Sequence, residues 1–507
     1  MKMSTARVKW RNRRLIGNII LGLILAGIAV IGLLFVRYED ELDQICHVVG
    51  VAVWLFAFAA MTVLWNRPKL RVENLFLLLG AGFGLFYVFL VTPLAVPDEG
   101  VHHLITFSQA AGIVNGGWVA DTAYLNYEGL SIHNIYYETF LEMLGGLTTE
   151  GLTGQVEAFA GASSNYPVQY LPQTVGTALA LLLKLNRWWM YVLGDLTNLM
   201  FYLGITYVAI RRLPVGKAPM MIVALLPMSL HQAASFSSDA FINAMAFLFL
   251  AEVIRAIMGK GKLRWQELAA MAVSGILLAP AKAVYGLLLL LLFFIPKERF
   301  ASRGLRWGYC VGVVLVALAA VAATYIGWFV ERLGVVAEGE EGPSGYTIAW
   351  VLQHPVKTLQ ILGRTLLQSG LDFYLDTMVG YALAGLTVYI NHGVVNAFVI
   401  LMAVAAITGL PEEAALDGKR RAACLAIAVL TVLAVMTTML VGWTSSVSKT
   451  VEGVQGRYLL PVAPLALLVL RSPHFATKKD MTRFYGGVVA VLQALTLMDI
   501  LDVILLM

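Results

Sequence analysis

The chain has 507 residues, 59% hydrophobic and only 13% charged, with a formal net charge of +5. A soluble domain carries about 25% charged residues, so this composition excludes a soluble globule and points to an integral membrane protein. The small basic excess sits in short runs between apolar stretches, which is a topology signal; no nucleic-acid partner is expected. The three cysteines, Cys46, Cys310 and Cys424, each lie in or beside an apolar run, without metal-ligand spacing or a disulfide framework.

A membrane-spanning helix needs roughly 20 apolar residues. Read in chain order, the apolar runs predict spans near 15–36, 45–65, 73–95, 188–210, 218–232, 236–257, 266–280, 282–296, 307–329, 393–410, 422–444, 458–471 and 484–506, about 13 in all. The first has no small-residue cleavage site and reads as a retained helix. With these spans the basic clusters 2–14, 67–71, 211–217, 260–264, 297–306, 419–421 and 471–483 all fall on one side, which the positive-inside rule assigns to the cytoplasm. Segments 171–185 and 377–390 are apolar too, but counting either as a span breaks that agreement. Both are therefore expected as helices at the outer interface.

Two large outer loops result. The first, 96–187, is acidic, with Asp98, Glu99, Asp121, Glu128, Glu138, Glu142, Glu150 and Glu157. The second, 330–377, holds the turn-rich run 338–343 and an amphipathic stretch near 354–367. The expected units are an N-terminal segment with two additional helices (1–72), a transmembrane core (73–471) and a final loop and helix (472–507).

Five stretches could carry chemistry. Residues 97–103 (PDEGVHH) place Asp98 and Glu99 where a span leaves the membrane, with His102 and His103 one turn on. A carboxylate there can act as general base toward a hydroxyl or hold a divalent cation beside a phosphate; the plainer reading is a solvated acidic helix end. Two adjacent histidines are not the zinc arrangement of two histidines four apart. Residues 166–173 (YPVQYLPQ) supply Tyr166, Gln169 and Tyr170, or simply an aromatic belt at a helix start. In 235–239 (SFSSD), helix capping accounts for most of the pattern, including Asp239. Lys282, with Tyr285 a turn later, can snorkel or bind an anion. Residues 453–461 (GVQGRYLLP) bring Gln455, Arg457 and Tyr458; the arginine fork matches phosphate, and the glycines permit close approach. All five fall on the same side of the membrane.

The ordered set PDEGVHH, YPVQYLPQ, SSDAFINAMAF, AKAVY and GVQGRYLLP resembles the bacterial membrane family known as domain of unknown function 2142, over roughly residues 75–470. The acidic pair in the first outer loop also resembles the GT-C class of membrane glycosyltransferases. That resemblance implies an all-α GT-C-like bundle in the bacterial inner membrane with its site facing outside the cytoplasm. It implies a sugar donor carried on a polyprenyl phosphate, a glycan or lipid-linked acceptor of the cell envelope, and transfer with inversion. Asp98 would be the base, and Glu99 would support it or bind a divalent cation (Mg or Mn). Arg457 and Lys282 would contact the lipid phosphate. The family's lysine is often followed by proline, whereas Ala283 follows Lys282 here. The expectation is a glycosyltransferase. The alternatives are a transporter or flippase of lipid-linked saccharides, with ionisable groups near the midplane, and a purely structural subunit.

Overall fold

The computed structural model describes residues 41–66, 70–115, 137–151, 166–333, 345–409, 416–477 and 479–506. The expected first span 15–36, the acids Asp121, Glu128 and Glu157, and the run 338–343 lie outside the described residues.

In chain order, α1 (Glu41–Asn66) and α2 (Val72–Leu90) precede three helices of the first loop, α3 (Glu99–Asn115), α4 (Tyr137–Gly146) and α5 (Leu171–Leu182). Next come α6 (Arg187–Arg212), the short pair α7 (Lys217–Ala224) and α8 (Pro227–Ala233), α9 (Asp239–Met258) and α10 (Trp265–Ala281). A 3-10 helix (Ala283–Phe294) leads to α11 (Arg303–Arg332). Then follow α12 (Ile348–Gln353), α13 (Pro355–Val379), a hairpin of β1 (Ala382–Leu383) and β2 (Val388–Tyr389), α14 (His392–Ile407), α15 (Gly418–Gly442), α16 (Ala463–Val469) and α17 (Thr482–Leu506).

The chain is a mostly helical polytopic membrane protein. Among the described residues, seven helices are long and apolar enough to cross a membrane: α1, α2, α6, α9, α11, α15 and α17. Each coincides with an expected span. At 1.5 Å per residue, the 19 residues of α2 cover about 28 Å, close to the hydrocarbon thickness. The centre is α9, 83% buried along its apolar window, packed against α6 and α10. Helix α11 is its opposite at 22%, with Leu315, Val316 and Leu318 exposed as a lipid-facing stripe.

Five other expected spans are shorter or interrupted. Segment 218–232 breaks at Leu225–Leu226, because Pro227 has no N–H to donate and holds Leu226 in an extended conformation (ψ 150°). Carbonyls freed inside a bundle need partners. Here Tyr202 donates to Ala224 O (2.9 Å), Ser229 to Val223 O (2.7 Å) and Gln493 to Leu225 O. Segment 282–296 is a 3-10 helix of 12 residues, about 24 Å long at 2.0 Å per residue. Segments 266–280 and 393–410 are helices of 17 and 16 residues, and 458–471 contains a turn and the seven-residue α16.

Of the two segments expected as interfacial helices, one is helical and one is not. Segment 171–185 forms α5. Segment 377–390 does not form a helix: α13 stops at Gly380 (φ 117°), and the chain turns into a two-stranded antiparallel hairpin pairing Ala382 with Tyr389 and Leu383 with Val388. A left-handed glycine ends the helix, and the β-forming run Thr387-Val388-Tyr389 takes the alternative. The imidazole Nε2 of His231 accepts from Ala384 N (3.2 Å), fixing the hairpin to α8.

Candidate functional site

Four connections between helices converge at the end of α2 that carries Asp98. The first is the turn from α2 to α3. Its backbone takes left-handed values at Leu94 (φ 70°) and Asp98 (φ 63°), a conformation that Asp tolerates better than most residues. His102 N donates to Asp98 O (3.1 Å), so Asp98 stands at the threshold of α3. Its side chain is 70% exposed and its Oδ2 lies 3.7 Å from Nη2 of Arg457.

Glu99 turns the other way. Its side chain is buried, Oε2 accepting from Val96 N (3.1 Å) and Oε1 from Phe236 N (3.1 Å). Burial raises its pKa, although the backbone N–H groups of Phe236, Val96 and Leu94 pull the other way. Glu99 thus ties the Asp98 turn to the connection before α9. This corrects the expectation of a paired acid or cation ligand: the two carboxylates diverge, and both oxygens of Glu99 are engaged with backbone. The residues present do not fit a divalent cation held by this pair. Among the described residues, no group of three or more His, Cys, Asp or Glu could hold a metal ion.

The histidines also divide. His102 Nδ1 is 2.9 Å from the Tyr170 hydroxyl, and the rings are 5.4 Å apart. Burial lowers the His102 pKa, while Asp239 and Asp98 act to raise it; burial pushes the Tyr170 phenol up to about 12. Gln169 hydrogen-bonds the same phenol. His103 is fully buried, stacked on Tyr191 at 4.4 Å and edge-on to Phe236 at 5.0 Å, and burial takes its pKa down to about 3. It belongs to the packing beneath the site, against the expectation of a ligand contact. Tyr166 donates to Leu277 O (3.1 Å), anchoring the loop to α10.

The second connection joins α8 to α9. Asn198 and Gln173 donate to the carbonyls of Ser235, Phe236 and Ser237, so a non-helical segment keeps its polar groups paired. Asp239 opens α9 and accepts from Gln232 (2.8 Å), which in turn accepts from Asn243 (3.1 Å). The charge of Asp239 acts on Arg457, His102, Tyr170 and Tyr285. Capping alone does not describe Asp239; its charge acts on the same cation as that of Asp98. Gln232 was missed by sequence reasoning, hidden in an apolar run, although a His-Gln pair before the serines was a visible signal.

The third connection is Lys282, extended (φ −156°) between α10 and the 3-10 helix. Its Nζ lies 3.9 Å from the centroid of the Tyr458 ring and 6.0 Å from that of Tyr285, within cation–π range. The Tyr285 hydroxyl donates to Tyr458 O (2.8 Å), latching this joint to the fourth connection.

The fourth is the turn Gly456–Leu459. Gly456 N donates to Thr377 Oγ1 (2.8 Å), and a Cβ on Gly456 would lie 2.0 Å from Tyr374 O and 2.4 Å from Met378 N. Only glycine allows this approach to α13. Gln455, half-buried, precedes the turn and its carbonyl accepts from Tyr458 N (3.2 Å). Arg457 is 7% exposed; Nη2 donates to the Tyr458 hydroxyl (3.1 Å), while its buried Nε–H has no hydrogen-bond partner among the described residues. Burial acts to lower its pKa, but Asp239, Tyr458 and Asp98 outweigh that and the net direction is up. The structure therefore brings together Asp98, Asp239, His102, Tyr170, Lys282, Tyr285, Arg457 and Tyr458, and holds Glu99, His103 and Tyr166 in supporting contacts. The arrangement offers one exposed carboxylate beside a guanidinium and an ammonium, suited to an anion next to a hydroxyl.

A family model described as "Predicted membrane protein (DUF2142)" matches residues 143–466. No curated protein and no solved structure matches the chain.

Proposed function

The chain belongs to the DUF2142 family of membrane proteins, and from that premise we propose that it is a GT-C-type glycosyltransferase of the bacterial inner membrane. The bundle would have about 13 crossings, the shorter and interrupted segments included. It would transfer a sugar from a polyprenyl-phosphate donor to a cell-envelope glycan or related acceptor on the extracytoplasmic face. The observation that carries this reading is the buried Arg457, whose Nε–H has no hydrogen-bond partner among the described residues, set 3.7 Å from the exposed Asp98.

In the proposed reaction the acceptor oxygen attacks the anomeric carbon from the face opposite the phosphate. The new carbon–oxygen bond forms as the sugar–phosphate bond breaks, and the configuration inverts. Asp98 takes the acceptor's proton, and polyprenyl phosphate leaves with the bonding electrons. Arg457 and Lys282 face the charge that grows on the leaving oxygen. A separation of 3.7 Å between Asp98 and Arg457 is longer than a direct hydrogen bond. Donor phosphate can take the guanidinium and leave Asp98 free to accept a proton. The charge of Asp239 also acts on Arg457.

One observation favours the transporter reading: the break at Leu225–Leu226 resembles the interrupted helices of transporters. The carbonyls there are satisfied by Tyr202, Ser229 and Gln493, which leaves them engaged rather than turned to a ligand. The test is to incubate the purified chain in detergent with a polyprenyl-phosphate sugar and envelope glycan. Release of polyprenyl phosphate with labelled glycan supports the enzyme. Donor left intact, while reconstituted vesicles move it between leaflets, supports the transporter.

A further inference from the structure

A cavity of about 640 Å³ opens at the opposite end of α2 from Asp98. Its walls come from the start of α2, the end of α6, the start of α7, the ends of α14 and α16, and the start of α17. Since α2 runs about 28 Å, this cavity is not part of the site above. It gathers three of the basic clusters that the positive-inside rule places in the cytoplasm. Among the described residues, five basic side chains line it, Arg71, Arg211, Lys217, Arg471 and Lys479, against two carboxylates, Glu73 and Asp480.

The wall is built rather than incidental. Arg471 is 3% exposed, and its carbonyl accepts from Arg421. A Cβ at Gly409 would lie 2.1 Å from Arg471 Nη1, so glycine makes room for the guanidinium. Thr477 N donates to Gly409 O (2.9 Å), and Thr408 Oγ1 meets the Tyr485 hydroxyl at 2.6 Å. These bonds pin the segment before α17 against α14 and close one side. Lys217 Nζ is 3.8 Å from Glu73 and donates to Arg211 O (3.1 Å). One carboxylate is thereby matched, and the excess of positive charge remains around the opening. Ala405, Leu467 and Leu468 give the same cavity an apolar side.

We propose that this cavity is a second binding site, for a phosphate-bearing ligand of headgroup size. Its cations match a phosphate ester, and its apolar side matches the carbon skeleton attached to that ester. Basic pockets between helices on the cytoplasmic side suit anionic lipid headgroups. A soluble phosphate ester has the same chemistry and reaches the same opening.

The experiment uses the full chain purified in nonionic detergent. Native mass spectrometry reads retention of phosphatidylglycerol against phosphatidylcholine, with glycerol 1-phosphate as a competitor. The variants are Arg471→Gln and, because that arginine is buried, a second protein carrying R71Q, R211Q and K479Q at exposed positions. The proposal expects about tenfold or greater preference for the anionic lipid, lost in the triple variant. Phosphatidylglycerol retained despite excess glycerol 1-phosphate identifies a lipid. Glycerol 1-phosphate bound by itself and weakened about tenfold by the same substitutions identifies a soluble ester. Equal retention of both lipids with no binding of glycerol 1-phosphate, or binding unchanged in the triple variant, overturns the proposal.

Discussion

Arg457 Nη2 stands 3.7 Å from Oδ2 of Asp98, the guanidinium 7% exposed and the carboxylate 70% exposed. A buried cation paired with a solvated acid can exchange that acid for a better anion. The donor phosphate would be that anion, and the predictions below test what the pairing implies.

Arg457→Lys keeps the charge but removes the fork and the donor to the Tyr458 hydroxyl. Losing one preorganised donor to a developing charge costs about 10²–10³ in turnover. The variant should keep its melting temperature and lose transfer by about that factor, measured as product released under saturating donor.

Glu99→Ala should behave differently. It leaves the N–H groups of Val96 and Phe236 without their carboxylate, at about 1–3 kcal/mol for each unpaired group. The expected result is a lowered melting temperature, with activity falling in parallel. An unchanged melting temperature with lost activity would return Glu99 to a chemical role.

How much of this site could be read from residue order depends on the kind of signal. Lys282 and Arg457 were legible because isolated charges beside apolar runs are costly and stand out, and Asp98 only as one of an acidic pair at the end of a span. Glu99 was not separable from Asp98, since nothing local says which of two adjacent acids finds backbone donors on a distant connection. Asp239 was obscured because an acid at a helix start has a local explanation. Its charge matters through Arg457, far along the chain. Seven long spans were legible from apolar length alone. The break at Leu225–Leu226 and the hairpin at 382–389 were not read, although Pro227, Gly380 and a β-branched run marked them.

His103 supplies a pH signature. Its pKa is about 3 in the folded protein against 6.5 for a free imidazole. Below pH 6.5 the unfolded chain takes up a proton that the native protein refuses, so this contribution to stability is complete above pH 6.5 and lost on acidification toward pH 3. The slope is about 1.4 kcal/mol per pH unit. Glu99, with its raised pKa, works in the opposite sense above its ordinary value. His103→Phe keeps the ring stack and removes the titration. The melting temperature of the variant should fall less steeply between pH 6 and pH 4 than that of the wild type.

Gly456→Ala tests the positioning of Arg457 from behind. Its Cβ would lie 2.0 Å from Tyr374 O, so the turn must move away from α13. Transfer should fall while the apparent donor affinity weakens, because the displaced turn carries Arg457 and Tyr458 together. A variant with wild-type donor affinity would separate the turn from donor binding.

The most direct measurement is sugar transfer from a polyprenyl-phosphate donor by wild type and Asp98→Asn, with melting temperatures recorded for both. Asparagine keeps the shape and removes the proton acceptor. The account predicts an equally stable variant with no detectable transfer. An Asp98→Asn protein that transfers sugar at the wild-type rate would contradict it.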